Sequence, residues 1–242
     1  MFELIVMNIL RSIAIIFFNF IDNYIHQNRI LYFLKKNKVS LQTFIDVGAH
    51  KGSYTDFLRN NFKIKKAYLF EPQKKIFMHI KKKYKNNKNI QTFDSAVSDK
   101  NQYKKIFINK HDLTSSLTNM NTSNVYLKLK ARLFGGNIYD MVTEEYNVKT
   151  LKLFDFIKQK KIKNVDLIKI DTEGHELSVL KGLGKKIKNV KIILIEFHNN
   201  KIYINYDSYK IHRYLIKNKF TLKKKIKFPF TEWEDRIYFN KN

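Results

Sequence analysis

A glycine-containing turn after a short apolar run constrains the fold of this chain more than any other stretch. Residues 43–52 read Thr-Phe-Ile-Asp-Val-Gly-Ala-His-Lys-Gly. The first five residues are typical of a buried parallel strand, and Tyr54, Phe57 and Leu58 follow with helical spacing. Glycines between a strand and a helix let the backbone approach a ligand, and the first helical turn offers unpaired N–H groups. The stretch therefore predicts a strand-turn-helix unit that binds a ligand.

The acidic residues around this turn indicate which ligand it binds. Glu71 ends the second predicted strand, where a carboxylate in nucleotide-binding folds binds the ribose hydroxyls. The spacing of Gly48 and Gly52 differs from the G-x-G-x-x-G of dinucleotide folds, and Asp46 would repel a pyrophosphate. A carboxylate here suits a cofactor with an amine and a sulfonium, such as S-adenosylmethionine. The alternative is a turn whose glycines serve backbone geometry alone.

Residues 90–98 predict a third strand that ends in a polar turn. In open α/β sheets, ligands bind beyond the carboxyl ends of the strands at the switch point of the topology. We therefore expect Asp94, Ser95 and Ala96 to line the adenine of the cofactor. Ordinary strand and turn roles are the alternative for each of these residues.

A second informative stretch, residues 165–176, reads Val-Asp-Leu-Ile-Lys-Ile-Asp-Thr-Glu-Gly-His-Glu. It predicts a buried strand that ends before Asp171, and strand alternation places Lys169 and Asp171 on one face. The ionisable side chains that follow the strand exceed what a helix cap requires. We therefore interpret Asp171 as functional, while capping and functional roles both stay open for His175 and Glu176.

The next predicted strand, residues 190–197, brings Glu196 and His198 to the same edge of the sheet. Histidine titrates near neutral pH, so His198 is a candidate general base. The alternative is a surface histidine bonded to a loop carbonyl. The remaining chain predicts a helix and a terminal hairpin, which indicates a mostly parallel sheet with one reversed strand.

Two segments lie outside this strand-helix pattern. Residues 1–21 are strongly apolar, but Arg11 interrupts them, whereas a spanning helix needs ~20 apolar residues without a central charge. We expect an amphipathic helix that rests on the domain or on a membrane surface, with a marginal transmembrane anchor as the alternative. Residues 103–149 are less regular and predict a lid or substrate-facing segment. These features divide the chain into an extension, residues 1–40, and a catalytic domain, residues 41–242.

Composition limits the partners and the compartment. The chain has 47 Lys and Arg against 21 Asp and Glu, a net charge of +26 that would attract nucleic acid, anionic lipid or acidic glycans. Lysines occur in almost every segment and arginines are few, which favours a general surface property over a nucleic-acid site. The absence of cysteine excludes disulfides, thiolate-bound zinc and a cysteine nucleophile. It also fits a reducing compartment, so we expect a cytoplasmic protein that could associate with the inner face of the membrane.

Several motifs together resemble the FkbM family of methyltransferases. The resemblance covers about residues 40–240, in order, and its most specific part is the Lys-Ile-Asp-x-Glu-Gly-x-Glu stretch at residues 169–176. One departure is Lys152, which follows Thr150-Leu151 where members usually carry an aspartate. The other motifs are Asp46-Val-Gly-Ala-His-Lys-Gly52, Phe70-Glu-Pro72, Ser95-Ala-Val-Ser-Asp99, Val179-Leu-Lys-Gly182 and Ile195-Glu-Phe-His198.

The resemblance implies an α/β fold of the class I methyltransferase type. This fold is Rossmann-like, with a seven-stranded, mostly parallel sheet, helices on both faces and an antiparallel last strand. It also implies S-adenosyl-L-methionine as cofactor and O-methylation of a hydroxyl on a sugar, a glycolipid or polysaccharide, or a related small molecule. On this basis the cofactor-binding residues are predicted to be Asp46, Gly48, Ala49, Gly52, Glu71, Asp94, Ser95 and Ala96.

On the acceptor side, Asp171 is predicted to lie closest to the reacting centre. His198 or Glu173 would accept the hydroxyl proton, and Lys169 would assist electrostatically. No metal is predicted, although Asp171, Glu173 and Glu196 carry oxygen atoms that could bind one.

Two other functions fit parts of the sequence. An RNA methyltransferase would use the positive charge, but residues 171–174 read Asp-Thr-Glu-Gly rather than the Asn/Asp-Pro-Pro-Tyr of base-nitrogen methylation. A non-catalytic, membrane-associated binding protein would require a decayed cofactor site, whereas the motif residues are intact. The expected partners are therefore a hydroxyl-bearing acceptor and, through residues 1–38, a membrane surface.

Overall fold

A computed structural model describes residues 13, 17, 20–109, 115–133, 142–198, 201–229 and 231–241. A π-helical segment, Ile21–His26, precedes the first α-helix, and a 3-10 helix, Gly184–Asn189, follows the sixth. The strands are β1 (Thr43–Val47), β2 (Lys66–Phe70), β3 (Ile90–Phe93), β4 (Ala96–Val97), β5 (Gln102–Asn109), β6 (Val142–Leu151), β7 (Val165–Ile170), β8 (Val190–His198), β9 (Phe220–Lys227) and β10 (Trp233–Asn240). The helices are α1 (Gln27–Lys36), α2 (Ser53–Asn61), α3 (Lys74–Tyr84), α4 (Val125–Leu133), α5 (Leu153–Gln159), α6 (Glu176–Gly182) and α7 (Ser208–Lys217).

Seven strands form one sheet in the order β3-β2-β1-β7-β8-β10-β9. Strands β3, β2, β1, β7 and β8 pair in parallel, and β10 runs antiparallel to both β8 and β9. The predicted class I sheet with a reversed last strand is therefore confirmed. β1 has β2 as its neighbour on one side and β7 on the other, so the strand order reverses at β1. The carboxyl ends of β1 and β7 thus form the crevice where such folds bind ligands.

Apolar side chains cover both faces of this sheet. On one face, Phe44 and Leu167 pack with side chains of α1, α2 and α3. On the other, Ile45 and Ile168 pack with side chains of α5, α6 and α7. Because β1 is buried on both faces from Phe44 onward, residues 44–47 are apolar except for Asp46.

The prediction that residues 90–98 form one strand is wrong. The main sheet uses only β3, which ends at Phe93, and Ala96–Val97 instead pairs with β6 in a separate three-stranded sheet. The order of this second sheet is β4-β6-β5, so residues 103–149 are also more regular than expected. A short apolar run does not reveal which strand it will pair with, because that depends on chain segments far away in sequence.

The N-terminal helix packs against the domain. Ile30 and Leu34 of α1 are buried beside Phe44 of β1. The amphipathic helix expected over residues 1–21 lies mostly outside the described residues and stays a prediction. The domain boundary at residue 40 stays a prediction. No helix within the described ranges is long and apolar enough to cross a membrane, and most of residues 1–21 lie outside those ranges.

Candidate functional site

A cleft opens at the carboxyl ends of β1, β2 and β7, the edge of the sheet where ligands bind in open α/β folds. Ile106 of the second sheet and residues 115–117, which bridge to the same strand at Phe107, close one side. The site residues predicted from sequence that line the cleft are Gly48, Glu71, Ser95, Ala96, Asp171 and Glu173.

The turn after β1 requires glycine because two strands approach each other closely there. Gly48 has φ +81°, and a Cβ at this position would overlap the backbone carbonyl of Asp171. Gly52 has φ +76° and begins α2 against the hydroxyl of Tyr84. Ala49 lies between them in the apolar core and does not line the cleft.

Asp46 is a buried carboxylate behind this turn. Its Oδ2 accepts a hydrogen bond from Thr55 Oγ1 at 2.6 Å, whereas Oδ1 has no hydrogen-bond partner among the described residues. Burial raises the pKa of Asp46, and the nearby Lys169 opposes that shift. A buried oxygen without a partner costs free energy, so this position suits a donor supplied by a ligand or by water.

Glu71 is held by the backbone on both sides. Its Oε2 accepts from the backbone N–H of His50 and its Oε1 from that of Gln73, each at 2.8 Å. Burial raises the pKa of Glu71 to about 7, although both hydrogen bonds lower it. His50 was missed from sequence because it contributes a backbone N–H, at φ +46°, rather than side-chain chemistry.

Beyond β3, the three residues predicted to line the adenine do not all lie in the cleft. Ser95 and Ala96 line the cleft, while Asp94 is exposed and is not among the lining residues. Ser95 Oγ donates to the backbone carbonyl of Asp94 at 2.6 Å. The chain leaves the main sheet here and continues into β4. Asp94 therefore does not occupy the cleft position expected for a residue of a continuous strand.

Lys169 and Asp171 form an ion pair at the end of β7. Lys169 Nζ lies 2.8 Å from Asp171 Oδ2 and 5.1 Å from the centroid of the Tyr54 ring. Burial alone would lower the pKa of Lys169, but Asp171 and Asp46 raise it well above its usual value. Lys169 is therefore a permanent cation between two carboxylates at the switch point of the sheet.

The carboxyl end of β8 and the loop after β7 bring together Glu173, Glu196 and His198. His198 Nε2 lies 3.6 Å from Glu173 Oε2 and 3.6 Å from Glu196 Oε1, and the imidazole is buried. Tyr203 donates a hydrogen bond to Glu173 Oε2. Burial, followed by repulsion from Asp171 and Glu173, raises the pKa of Glu196 well above its usual value.

These three side chains could also hold a divalent cation. One ligand atom from each of Glu173, Glu196 and His198 lies within 4.8 Å of the other two. His198 completes this group rather than Asp171, whose carboxylate pairs with Lys169. The expectation that the protein uses no metal stays a prediction.

Glu176 and His175 shape the loop between β7 and α6. Glu176 Oε1 accepts from the backbone N–H groups of Thr172 and Gly174 at 3.2 and 3.0 Å, so it holds the loop before α6 rather than the free N–H groups of the helix itself. Burial raises the pKa of Glu176 to about 7. His175 Nε2 lies 2.9 Å from Ser98 Oγ, and burial lowers its pKa to about 4, so the imidazole is neutral at neutral pH.

Three contacts at the rim come from segments without a recognisable motif. Tyr203 packs against Gly174, where any side chain would overlap its ring. Ser116 Oγ donates to the backbone carbonyl of Glu173, and Ser115 lines the cleft. His26 Nε2, from the π-helical segment, lies 2.8 Å from Asp235 Oδ2. The only signal in the sequence was the general expectation that residues 103–149 face the substrate.

A model of the methyltransferase FkbM domain matches residues 46–222. The chain belongs to the FkbM methyltransferase family. The matched region of this FkbM protein begins at Asp46 and ends within β9, so it contains both sides of the cleft. It excludes the π-helical segment, α1 and β10. The departure at Lys152 lies at the start of α5, 3.6 Å from Asp155, and Lys152 does not line the cleft.

Solved structures agree with this family at the level of the fold. An FkbM methyltransferase from Methylobacillus flagellatus KT aligns with a TM-score of 0.53 and 15% identity, over 82% of this chain and 43% of that chain. The N-methyltransferase NodS from Bradyrhizobium japonicum WM9 aligns with a TM-score of 0.50 and 9% identity, over 92% and 99%. Such low identities show the class I fold alone.

One curated relative matches over a short stretch. Hexuronic acid methyltransferase AglP from Haloferax volcanii is 31% identical over 51 residues. The match spans 21% of this chain and 21% of the relative. The FkbM protein therefore covers about a fifth of the relative's length in this comparison.

Proposed function

We propose that this FkbM protein is an S-adenosylmethionine-dependent O-methyltransferase that acts on a hydroxyl of a sugar, a glycolipid or polysaccharide, or a related small molecule. The observation that carries the proposal is the junction of two sites at one rim. Asp46, Gly48 and Glu71 line or support the cleft. Glu173 also lines it, and Nε2 of His198 lies 3.6 Å from both Glu173 Oε2 and Glu196 Oε1.

The cofactor side fits S-adenosylmethionine in its charge and its backbone. The partnerless Asp46 Oδ1 suits an ammonium group or a water that bridges to one, and Gly48 leaves the turn open to a ligand. Each oxygen of Glu71 can accept a second hydrogen bond, so this carboxylate can bind ribose hydroxyls while the backbone holds it. When bound, the cofactor supplies a methyl group on a positively charged sulfur.

On the acceptor side, His198 is the proposed general base. Glu173 and Glu196 both face Nε2 of its imidazole, and a carboxylate there would stabilise the positive charge that forms when the ring takes the hydroxyl proton. Glu173 is the weaker candidate, because its Oε2 already accepts the hydrogen bond of Tyr203. The ion pair with Lys169 fixes the carboxylate of Asp171 at the junction of the two sides.

The acceptor class rests on two observations. The short match to a hexuronic acid methyltransferase supports a carbohydrate. The rim is rich in carboxylates, namely Asp171, Glu173 and Glu196, although the chain as a whole is strongly basic. A carboxylate-rich rim disfavours a phosphate backbone and therefore RNA, and by the same repulsion it favours a neutral hydroxyl-bearing part of a sugar at the rim over a uronic-acid carboxylate.

The test combines cofactor binding with transfer of a labelled methyl group. S-adenosylhomocysteine is titrated calorimetrically into the full chain, and labelled S-adenosylmethionine is then offered with three acceptor sets: uronic-acid oligosaccharides, neutral oligosaccharides and total RNA. We expect binding, and alkali-stable label on a carbohydrate hydroxyl. Label on RNA would support the RNA methyltransferase instead. Absence of binding by folded protein would favour the non-catalytic alternative.

A further inference from the structure

An exposed apolar stripe runs along the N-terminal helical region. Ile13, Phe17, Phe20 and Tyr24 are 57%, 50%, 52% and 65% exposed. Their spacing of three or four residues places them on one helix face. The rings of Phe20 and Tyr24 stack with centroids 4.9 Å apart. We call these four residues the apolar stripe.

Other residues of the same segment attach it to the domain. Ile21 is buried, and the buried His26 contacts Asp235 at 2.8 Å. The His26 ring also lies 5.3 Å from that of Phe228 and 5.2 Å from that of Trp233. The segment therefore presents apolar side chains in two directions, one towards the core and one outward. A helix that is apolar on its outer face as well is atypical of a face that contacts only water.

The helix that follows this segment contacts an edge strand that carries exposed lysines. Arg29 of α1 donates to the backbone carbonyl of Lys227 at 3.3 Å, so the end of β9 contacts the helix. β9 is an edge strand of the main sheet, and Lys223, Lys224 and Lys225 on it are exposed. Apolar side chains bordered by cations are the combination that binds the surface of an anionic bilayer.

We propose that the apolar stripe docks on a membrane surface that contains anionic lipids. The stripe enters the headgroup region, and Arg29 with the lysines of β9 contacts the lipid headgroups. A second copy of the chain is the poorer occupant, because two molecules of net charge +26 repel each other. The docking does not depend on the identity of the methyl acceptor.

Flotation of the full chain with lipid vesicles tests the docking in the absence of cofactor. We expect the protein to float with phosphatidylcholine–phosphatidylglycerol vesicles, to float much less with phosphatidylcholine alone, and to dissociate as salt is raised. The double variant Phe17→Glu with Phe20→Glu should lower vesicle affinity by roughly tenfold or more, because it places charge in the apolar stripe. Met78→Glu is the matched control, since Met78 is 60% exposed on α3 and should leave flotation unchanged.

A second pair of variants tests the basic residues. Both variants lose three lysines, so they have the same net charge as each other. Replacing Lys223, Lys224 and Lys225 by serine should weaken binding to anionic vesicles roughly tenfold and flatten its salt dependence. The matched triple replaces three exposed lysines in or next to α3 and should weaken binding less. Those lysines are Lys81, Lys82 and Lys85.

Three results would overturn the docking proposal. The wild type could fail to float, the stripe variant could float as the wild type does, or sedimentation could reveal a dimer that the stripe variant dissociates. The last result would assign the stripe to a second copy. Titration with S-adenosylhomocysteine reports separately on the cofactor site, so failure of vesicle binding is distinguishable from failure of the proposed activity.

Discussion

The cofactor side and the acceptor side of the proposed site are built differently. On the cofactor side, Glu71 is held by backbone N–H groups of His50 and Gln73, and Asp46 is held by the hydroxyl of Thr55. On the acceptor side, the contacts join side chains alone, those of Glu173, Glu196, His198 and Tyr203. A backbone donor is present whatever the side chain, whereas a contact between two side chains is lost when either residue is replaced. The acceptor side can therefore change without a change of fold, so specificity is expected there.

The largest effect should come from replacing His198, because this variant should change kcat without changing cofactor binding. His198→Gln removes the proposed proton acceptor, so kcat should fall by roughly 10²–10⁴-fold while binding of S-adenosylhomocysteine is unchanged. His79→Gln is the matched control, because His79 is exposed on α3. Steady-state kinetics and calorimetry measure the two quantities. An unchanged kcat in His198→Gln would assign the base to another residue, with Glu173 the next to replace.

The second effect tests the cofactor side alone. Glu71→Ala removes a buried carboxylate from the cleft wall, so S-adenosylhomocysteine should bind roughly ten- to a hundredfold more weakly in calorimetric titration. Glu71→Gln provides a variant that keeps one acceptor for the backbone and should be affected less. Equal affinity for the wild type and both variants would remove Glu71 from the cofactor site.

A smaller effect is expected where one side chain only positions another. Tyr203→Phe removes the hydrogen bond to Glu173, so kcat should fall about tenfold without a change in cofactor affinity. Tyr209→Phe is the control, since Tyr209 is 65% exposed on α7. A loss of cofactor binding in Tyr203→Phe would show that the two sides of the cleft are coupled.

The smallest effect concerns the pH dependence of stability. The pKa of Glu176 is raised from its usual 4.5 to about 7 by burial, so the fold favours the protonated form. Its contribution to stability is complete below about 4.5 and is lost as the pH rises through about 7. Glu176→Gln mimics the protonated form, so its melting temperature should fall less across this range than that of the wild type.

The pKa of Glu71 is also raised to about 7, so its contribution to stability is lost over the same pH range. Glu176→Gln should therefore keep part of the wild-type pH dependence of stability. Glu144→Gln is the control, because the Glu144 side chain is half exposed. If Glu176→Gln and the wild type lose stability equally between these pH values, the buried carboxyl does not titrate as described.

The sequence predicted the elements of the fold better than their pairing. The strand-turn-helix unit at residues 43–58 and the reversed last strand are confirmed because each follows from a local pattern: apolar alternation, glycine at a turn, or helical spacing. The prediction of one strand over residues 90–98 is wrong because β4 pairs with β6, about fifty residues later in the chain. Residues with the same apolar pattern can join either sheet.

Sequence alone determined the family, the sheet and the cluster of carboxylates at the rim, because motifs encode backbone turns and the residues next to them. Only the tertiary structure decided that Nε2 of His198 lies near both Glu173 and Glu196, and that Tyr203 donates a hydrogen bond to Glu173. These contacts join residues from different strands and loops, whereas strand alternation already placed Lys169 and Asp171 on one face. The distances in these contacts depend on how the whole sheet packs, and no local pattern carries that information.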